Sequence, residues 1–408
     1  MLTLQSASQV VDRPQPRIGL AVAGGGPVGA IYELGALRAL DESINGMHMH
    51  YLKTYVGVSA GAFIAASLAN HVSTTQMCRI FMGQPDAELA FRPEAFLRPA
   101  YREYYQRVKQ IPGIMAEAVV DWLKRPRLSG LSESLNGFSK AIPAGIFDNE
   151  TINQFIEQVL NVPGRSNDFR ELDTRLFVVA VDLDTGVAVR FGSEGFDHIP
   201  ISRAVQASAA LPGLYPPVRL EGRDYVDGAL RRTLHASTAL NEDIDLLIGV
   251  NPLVPYDAVS GQSEHQHLAL EGLPLVLSQT FRALIQSRMK VGIGKYQSSY
   301  PNAGIMLLEP NRDDEQIFFT NVFSYSSRSS LCEHAYQTTR AELRSRSEEL
   351  DDFLSPYGLS LNHEILNDQE RSLFMSLKSE PRRLAPVTRA LERALKRLDD
   401  GLGSLKNS

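Results

Sequence analysis

The stretch Thr54-Tyr55-Val56-Gly57-Val58-Ser59-Ala60-Gly61 decides how this sequence is interpreted. β-Branched and aromatic residues lead into it and an alanine-rich apolar run leads out, which predicts a strand, a tight turn and a helix. The pattern G-x-S-x-G at such a junction is the nucleophile elbow. Gly57 and Gly61 remove side chains that would clash in the turn, and the turn holds the Ser59 hydroxyl at a helix N-terminus, where negative charge is favoured. The pattern is short enough to occur by chance, so its surroundings must carry the argument.

The composition is that of an ordinary globular protein. The 408 residues are 43% hydrophobic and 22% charged, which suits one large domain or two modest ones. The formal net charge of -6 argues against a dedicated nucleic-acid binder. Cys78 and Cys332 are the only cysteines, so the chain can build neither a disulfide framework nor a cysteine-rich zinc site.

Targeting and membrane signals are weak in this sequence. No basic segment followed by an apolar run opens the chain, and no run of 18 apolar residues occurs, so we predict neither a signal peptide nor a membrane span. We therefore expect a cytoplasmic protein that is at most peripheral at the inner face of the membrane.

A second glycine-rich turn lies upstream, in Gly24-Gly25-Gly26-Pro27-Val28-Gly29. It follows an apolar run at residues 18–23, which predicts a buried parallel strand, and it precedes a helix predicted over about residues 30–40. The spacing fits G-x-G-x-x-G and so predicts a dinucleotide site, but no acidic residue ends the next strand. The spacing of a P-loop also fits, but Ala30 and Ile31 replace the lysine and hydroxyl residue.

An oxyanion hole is the third interpretation of this loop. Bare glycines let backbone N–H groups approach a substrate carbonyl, and the dipole of the following helix adds to their effect. A turn that merely tolerates glycines is the plain alternative. Three successive glycines upstream of a serine elbow favour the oxyanion hole.

Strands and helices alternate along the rest of the chain, which predicts an α/β fold with a mostly parallel sheet. We expect a loose tail at residues 1–16, a domain at 17–310 with a helical insertion at about 91–140, and a helical extension at 311–408. Both the insertion and the amphipathic stretch at 384–398 are rich in basic residues. Each fits peripheral contact with a lipid surface and equally fits ordinary packing.

Three blocks in order, the glycine loop, G-x-S-x-G and Asp227-Gly228-Ala229, resemble the patatin-like phospholipase family over roughly residues 17–255. The stretches at 145–148, 181–186 and 207–213 add to the likeness. The resemblance implies a three-layer patatin-like fold. It assigns Ser59 as nucleophile and Asp227 as its base, and it assigns the oxyanion hole to the glycines of the upstream loop, Gly24, Gly25, Gly26 and Gly29.

The resemblance also implies a lipid or acyl-ester substrate, a serine–aspartate dyad without histidine, and no metal or cofactor; it leaves the oligomeric state open. One departure concerns Val28, which stands where the family usually has lysine or arginine. Any help from that charge is lost unless another arginine, such as Arg38, replaces it.

Other functions stay open at this point. A triad carboxylesterase or a transacylase would need a histidine, and His235 is the candidate to test because it follows Asp227 closely. The later histidines, His265, His267, His334 and His363, lie in no recognisable motif. A catalytically silent lipid-binding or membrane-binding scaffold is the alternative outside enzymes.

Overall fold

A nine-stranded sheet organises the part of the chain that the computed structural model describes, residues 1–9, 13, 15–84, 87, 89, 91–101, 103–105, 107–109, 142–259, 267–320 and 324–378. The strands are β1 (Leu2–Gln5), β2 (Ile18–Val22), β3 (Ile44–Asn45), β4 (Thr54–Val58), β5 (Arg175–Asp182), β6 (Ala188–Phe191), β7 (Val218–Leu220), β8 (Arg223–Asp227), β9 (Leu246–Val250), β10 (Gly304–Leu308) and β11 (Ser360–Leu361). β3 and β11 form a separate pair, and the other nine make the sheet.

Helices cover both faces of the sheet. They are α1 (Gly26–Ser43), α2 (Ala60–Ala69), α3 (Thr74–Phe81), α4 (Glu150–Leu160), α5 (Ile201–Ser208), α6 (Ala236–Leu240), α7 (Leu273–Ser299), α8 (Glu315–Phe319), α9 (Tyr325–Ser345), α10 (Ser347–Leu354), α11 (His363–Asn367) and α12 (Leu373–Lys378). Among the described residues, no helix is both long and apolar enough to cross a bilayer.

The strand order is β1-β10-β9-β2-β4-β5-β8-β7, with β6 beside β5. β10, β9, β2, β4 and β5 run parallel, whereas β1, β6, β7 and β8 join antiparallel. β2, β4, β9 and β10 are buried at every residue, as expected of parallel strands with helices on both faces. The predicted α/β fold with a mostly parallel sheet is therefore confirmed.

The two faces carry separate hydrophobic clusters. The larger one includes side chains of α1, α2, α3 and α9. The smaller one lies on the opposite face and includes α6 residues, with Met289, Ile293 and Tyr296 of α7 packed against it. α7 therefore belongs to the second layer and faces the sheet with one side.

The glycine loop is shorter and the first long helix begins earlier than the sequence predicts. α1 begins at Gly26 rather than near Ala30, with Gly25 as its N-cap and Pro27 in its first turn. Proline suits this position because the first N–H groups of a helix have no intrahelical acceptor and its φ is already helical. Gly26 has a φ of +59°, which glycine adopts at little cost.

The expectation of a loose tail at residues 1–16 is wrong at its beginning. Leu2–Gln5 forms edge strand β1 and pairs antiparallel with β10, with Leu2 opposite Leu308. Leu2 is buried, and Leu4 packs against the larger cluster. The alternation of Leu2 and Leu4 with polar residues is the sequence signal for this half-buried strand.

The described part of the predicted C-terminal extension is mostly helical, apart from the short strand β11, and it packs on α1. Gly35 lies where α9 crosses, because a Cβ there would overlap the carbonyl oxygen of Cys332 and lie 2.9 Å from Ala335. The thiol of Cys332 also meets that of Cys78 in α3. The amphipathic stretch at 384–398 and most of the insertion at 91–140 lie outside the described residues.

Candidate active site

The G-x-S-x-G stretch forms the tight turn between β4 and α2, as the sequence predicts. Ser59 has φ 53° and ψ -125°, a conformation that costs a non-glycine residue free energy and is typical of functional sites. A Cβ on Gly57 would overlap the backbone of Ala62, and one on Gly61 would overlap the carbonyl oxygen of Ala23. Glycine is therefore required on both sides of the serine because backbone approaches too closely for any side chain.

Strand register brings Asp227 to the same level of the sheet as Ser59. Val58 pairs with Val179 of β5, and the next residue of β5, Ala180, pairs with Asp227 at the end of β8. β8 runs antiparallel to β5, so it begins near the carboxyl end of β5. Asp227, at the end of β8, therefore lies two residues inside that edge of the sheet. A Cβ on Gly228 would meet Val179, which explains why a glycine follows the aspartate.

The carboxyl of Asp227 is oriented by the turn that follows it. Its Oδ1 accepts a hydrogen bond from the N–H of Ala229 at 2.9 Å, which caps a short 3-10 turn. The Ser59 hydroxyl also donates to this carboxyl. The Asp-Gly-Ala motif thus fixes the side chain and aims it at the serine.

Burial sets the basicity of this carboxyl. Desolvation raises the pKa of Asp227 to about 6, although the hydrogen bonds from Ser59 and Ala229 lower it. An aspartate with that pKa is ionised at neutral pH and is a better proton acceptor than an exposed one. The environment therefore suits Asp227 to act as a base.

The glycine loop lies directly against this pair. A Cβ on Gly24 would lie 2.8 Å from the Cβ of Ser59, 3.5 Å from its Oγ and 3.4 Å from the Cβ of Ala229. The next two residues, Gly25 and Gly26, are the N-cap and first residue of α1, whose first N–H groups have no intrahelical acceptor. N–H groups and the positive end of a helix dipole thus lie beside the serine.

Gly29 has a different role from the one expected. Its N–H donates to the carbonyl oxygen of Gly25 at 3.0 Å inside α1, so it is not available to an oxyanion. A Cβ on Gly29 would lie 2.9 Å from Pro252, and one on Gly25 would lie 2.6 Å from the same ring. Gly29 therefore allows close packing of Pro252, which follows β9, against the loop.

Arg38 does not replace the charge missing at Val28. It lies three turns further along α1, where it forms ion pairs with Asp41 at 3.6 Å and Glu42 at 3.2 Å and hydrogen bonds with Ser376. Val28 itself packs partly buried against the larger hydrophobic cluster. The helix geometry separates Arg38 from the loop, so its role is to tie α12 to α1.

His235 is buried near the site but is not paired with the aspartate. Its hydrogen bond goes to the backbone of Gly228, and desolvation lowers its pKa to about 4. The carboxyl of Asp227 interacts with Ser59 and Ala229, so in the described part of the chain the pair has no histidine partner. His334 and His363 pair with Asp314 and Asp351.

Sequence reasoning missed the function of Ser208. The last residue of α5, it accepts a hydrogen bond from the N–H of Ser59 at 2.8 Å and donates one to the carbonyl oxygen of Val179 at 2.6 Å. This hydroxyl therefore joins the elbow to β5 and holds the strained serine. Its only sequence signal is its place in the small-residue stretch at 207–213.

Within the described ranges, no group of three or more His, Cys, Asp or Glu side chains is placed to hold a metal ion. The chemistry available at the site is that of a hydroxyl, a basic carboxylate and a row of backbone N–H groups. Together with an α/β fold, these features define the class of acyl hydrolases that use a strand–helix elbow.

Comparison with known proteins identifies the family. A family model described as patatin-like phospholipase matches residues 20–240, which includes the glycine loop, the elbow and the Asp-Gly-Ala turn. The chain belongs to the patatin-like phospholipase family, and its general class is that of a lipid acyl hydrolase. This confirms the family resemblance found in the sequence.

Solved structures with partial likeness come from two bacteria. VipD from Legionella pneumophila aligns at 15% identity with a TM-score of 0.39, over 84% of this chain and 70% of VipD. ExoU of Pseudomonas aeruginosa, in its complex with SpcU, aligns at 14% identity with a TM-score of 0.25, over 86% of this chain and 68% of the other. Similarity at this level carries no argument about mechanism.

Proposed function

We propose that this protein hydrolyses fatty-acyl esters of lipids through an acyl-enzyme, with Ser59 as the nucleophile and Asp227 as the base. The observation that carries the proposal is the meeting of three separate segments at one point. A strained serine, a buried carboxyl that accepts its hydrogen bond, and a glycine loop at a helix N-terminus lie in direct contact. Membership of the patatin-like phospholipase family supports a lipid substrate.

In the first half of the reaction, the carboxylate of Asp227 takes the proton of Ser59 as the serine oxygen attacks the ester carbonyl carbon. The carbonyl electron pair moves onto oxygen, and N–H groups of the Gly24–Gly26 loop stabilise that negative charge. The tetrahedral intermediate collapses to an acyl-serine. The leaving alkoxide takes the proton from Asp227 and departs as an alcohol.

In the second half, Asp227 takes a proton from a water molecule, and the resulting hydroxide attacks the acyl carbon. The second tetrahedral intermediate breaks the bond to Ser59, which recovers its proton from Asp227 and releases a fatty acid. Burial of the carboxyl supports both steps, because the raised pKa of Asp227, about 6, makes it a stronger proton acceptor.

Covalent labelling with a fluorophosphonate, read by intact mass, tests this function. We expect one adduct on the wild type, none on Ser59→Ala and slow labelling of Asp227→Asn. Ser67→Ala is the matched control, since Ser67 is also buried, in α2, and its hydroxyl has no hydrogen-bond partner among the described residues. An adduct that persists in Ser59→Ala would assign the nucleophile elsewhere, and a folded wild type that never reacts would favour the silent scaffold.

A further inference from the structure

We propose that the outer face of α7 is the surface that docks this protein on an anionic lipid bilayer and brings the substrate to the site; this inference rests on the proposed function. α7 was not among the segments whose sequence suggested membrane contact. It spans 27 residues and carries an exposed apolar stripe. The stripe consists of Leu273, Val276, Leu277, Phe281, Leu284 and Val291.

The inner side of α7 is anchored beside the catalytic groups. The buried Arg282 donates to the carbonyl oxygens of Pro252 and Val254, at 3.2 and 3.1 Å, and Pro252 is the ring that packs on the glycine loop. Further along, Arg288 donates at 3.2 Å to the carbonyl oxygen of Leu230, which follows the Asp-Gly-Ala motif. The helix therefore lies along the side of the site, and its apolar stripe points away from the protein.

The positive charge of α7 favours an anionic lipid surface as the partner. Residues 273–299 contain two arginines and two lysines and no acidic residue. Exposed Arg288 and Lys295 accompany the stripe on α7. Exposed Arg231 and Arg232 directly follow Leu230, whose carbonyl oxygen accepts the hydrogen bond from Arg288 of α7. An apolar stripe on a helix whose own charged residues are all basic is typical of helices that lie in the interface of an anionic membrane.

Two other occupants fit this charge poorly. A second copy packed face to face would set basic residues against the same basic residues, which is unfavourable. Residues 379–408 contain seven basic and four acidic residues, so that segment would also add positive charge to a positive surface. Anionic lipid satisfies both the apolar stripe and the charge.

Vesicle flotation tests the proposal without catalysis. The full-length chain carrying Ser59→Ala is mixed with vesicles of phosphatidylcholine alone, or with about one-third phosphatidylglycerol. We expect binding to the mixed vesicles only, weakened by salt. Leu277→Gln combined with Leu284→Gln should weaken binding by about tenfold or more, because two apolar side chains no longer enter the bilayer. Lys295→Gln should weaken it by about fivefold.

The matched control is Phe374→Gln on α12. Phe374 is 52% exposed and Leu284 is 56% exposed, but α12 packs on the opposite layer. The control should bind as the parent does. Equal binding of the α7 double variant and its parent would overturn the proposal, as would loss of binding on removing residues 379–408, or a change from dimer to monomer in the double variant.

Activity separates this proposal from the proposed function. On the background with Ser59 intact, Leu277→Gln with Leu284→Gln should leave turnover of a water-soluble short-chain ester within about twofold and lower turnover of vesicle lipid about tenfold, because neither side chain contacts the site. A protein that binds vesicles as described but hydrolyses no ester would overturn the catalytic proposal alone. Hydrolysis with α7-independent binding would overturn the docking proposal alone.

Discussion

The α1–α9 interface and the Ser59–Asp227 site are both packed too tightly for added side chains, yet they use that packing differently. In the interface, Gly35 lets two helices touch, and Arg38 is paired with Asp41 and Glu42. At the site, equally close packing holds a serine with φ 53° and a carboxyl whose pKa is raised.

This difference shows that stability and activity depend on different residues of the fold. Interface residues lower the free energy of the folded state, so replacing them should destabilise the protein. The site residues hold a strained backbone and a desolvated charge, which cost free energy that the surrounding packing must offset. Replacing a site residue should therefore remove activity without the same loss of stability.

The largest expected effect is on catalysis, at Gly24. Gly24→Ala should lower kcat/KM by about 10²–10³, because its Cβ would lie 2.8 Å from that of Ser59 and displace the nucleophile from the oxyanion donors. Gly195→Ala is the control: Gly195 lies in an exposed turn outside the site, its Cβ meets open space, and only its φ of +81° is unfavourable, by about 1–2 kcal/mol. Equal losses in steady-state kinetics of the two variants would contradict the site geometry.

Asp227→Asn should stabilise the protein while it removes activity. The pKa of Asp227 is raised from 3.8 to about 6, so the unfolded chain loses this proton more readily than the folded one. The resulting decrease in the free energy of unfolding is absent below about pH 4 and grows as pH rises. It is complete above about pH 6, where it reaches about 3 kcal/mol. Urea unfolding should show that gain for Asp227→Asn at pH 8 and little at pH 4.

An exposed aspartate provides the comparison for that measurement. Asp184→Asn lies in the exposed turn after β5 and should change the free energy of unfolding by no more than about 0.5 kcal/mol. If Asp227→Asn destabilises the protein at pH 8, the buried carboxylate does not lower the free energy of unfolding, and the contrast between site and interface is wrong.

Gly35→Ala should lower the free energy of unfolding, opposite to the effect of Asp227→Asn. Its Cβ would overlap the carbonyl oxygen of Cys332, so we expect a loss of about 2 kcal/mol in urea unfolding even though alanine favours helix. Gly294→Ala in α7 meets nothing within 4 Å and should instead stabilise by about 0.5–1 kcal/mol. A stabilised Gly35→Ala would show that α1 and α9 do not pack as closely as described.

Ser208→Ala should affect both properties. Loss of the hydroxyl leaves the Ser59 N–H and the Val179 carbonyl without their partner, at a cost of about 1–3 kcal/mol. We expect kcat to fall about tenfold with little change in KM, since the nucleophile moves but the substrate surface does not. Ser67→Ala should leave kcat unchanged, because this buried hydroxyl has no hydrogen-bond partner in the part of the chain that the structure describes. A Ser208→Ala variant of normal kcat would limit Ser208 to stability.

The smallest expected effect is that of His235→Gln on the pH profile of kcat/KM, and it sharpens the assignment of the base. Because Asp227 must be ionised to accept a proton, kcat/KM should be level above about pH 6 and fall about tenfold per unit below it. His235→Gln should keep the same midpoint, because the pKa of His235 is lowered to about 4 and its hydrogen bond goes to Gly228. A shifted midpoint in His235→Gln would favour a triad.

The sequence by itself determined the parts of this protein that depend on neighbouring residues. Strand, turn and helix at the elbow follow from residue type and spacing along the chain, as do the buried parallel strands and the three motifs in order. These features also defined the family, because the spacing of the motif glycines is visible along the chain, although the backbone that requires Gly61 and Gly228 belongs to other segments, at Ala23 and Val179. Ser59 and Asp227 are the candidate site residues that the sequence alone predicts.

Only the tertiary structure decided which groups meet. Four contacts join residues far apart in sequence. They are the pairing of β1 with β10, the contact of Cys78 with Cys332, the packing of Pro252 against Gly29 and the hydrogen bond between Ser208 and Ser59. Such contacts depend on strand register and helix packing, which no local pattern specifies. The exposed stripe of α7 has the same origin, since the helix pattern gives two sides but only packing shows which one remains uncovered.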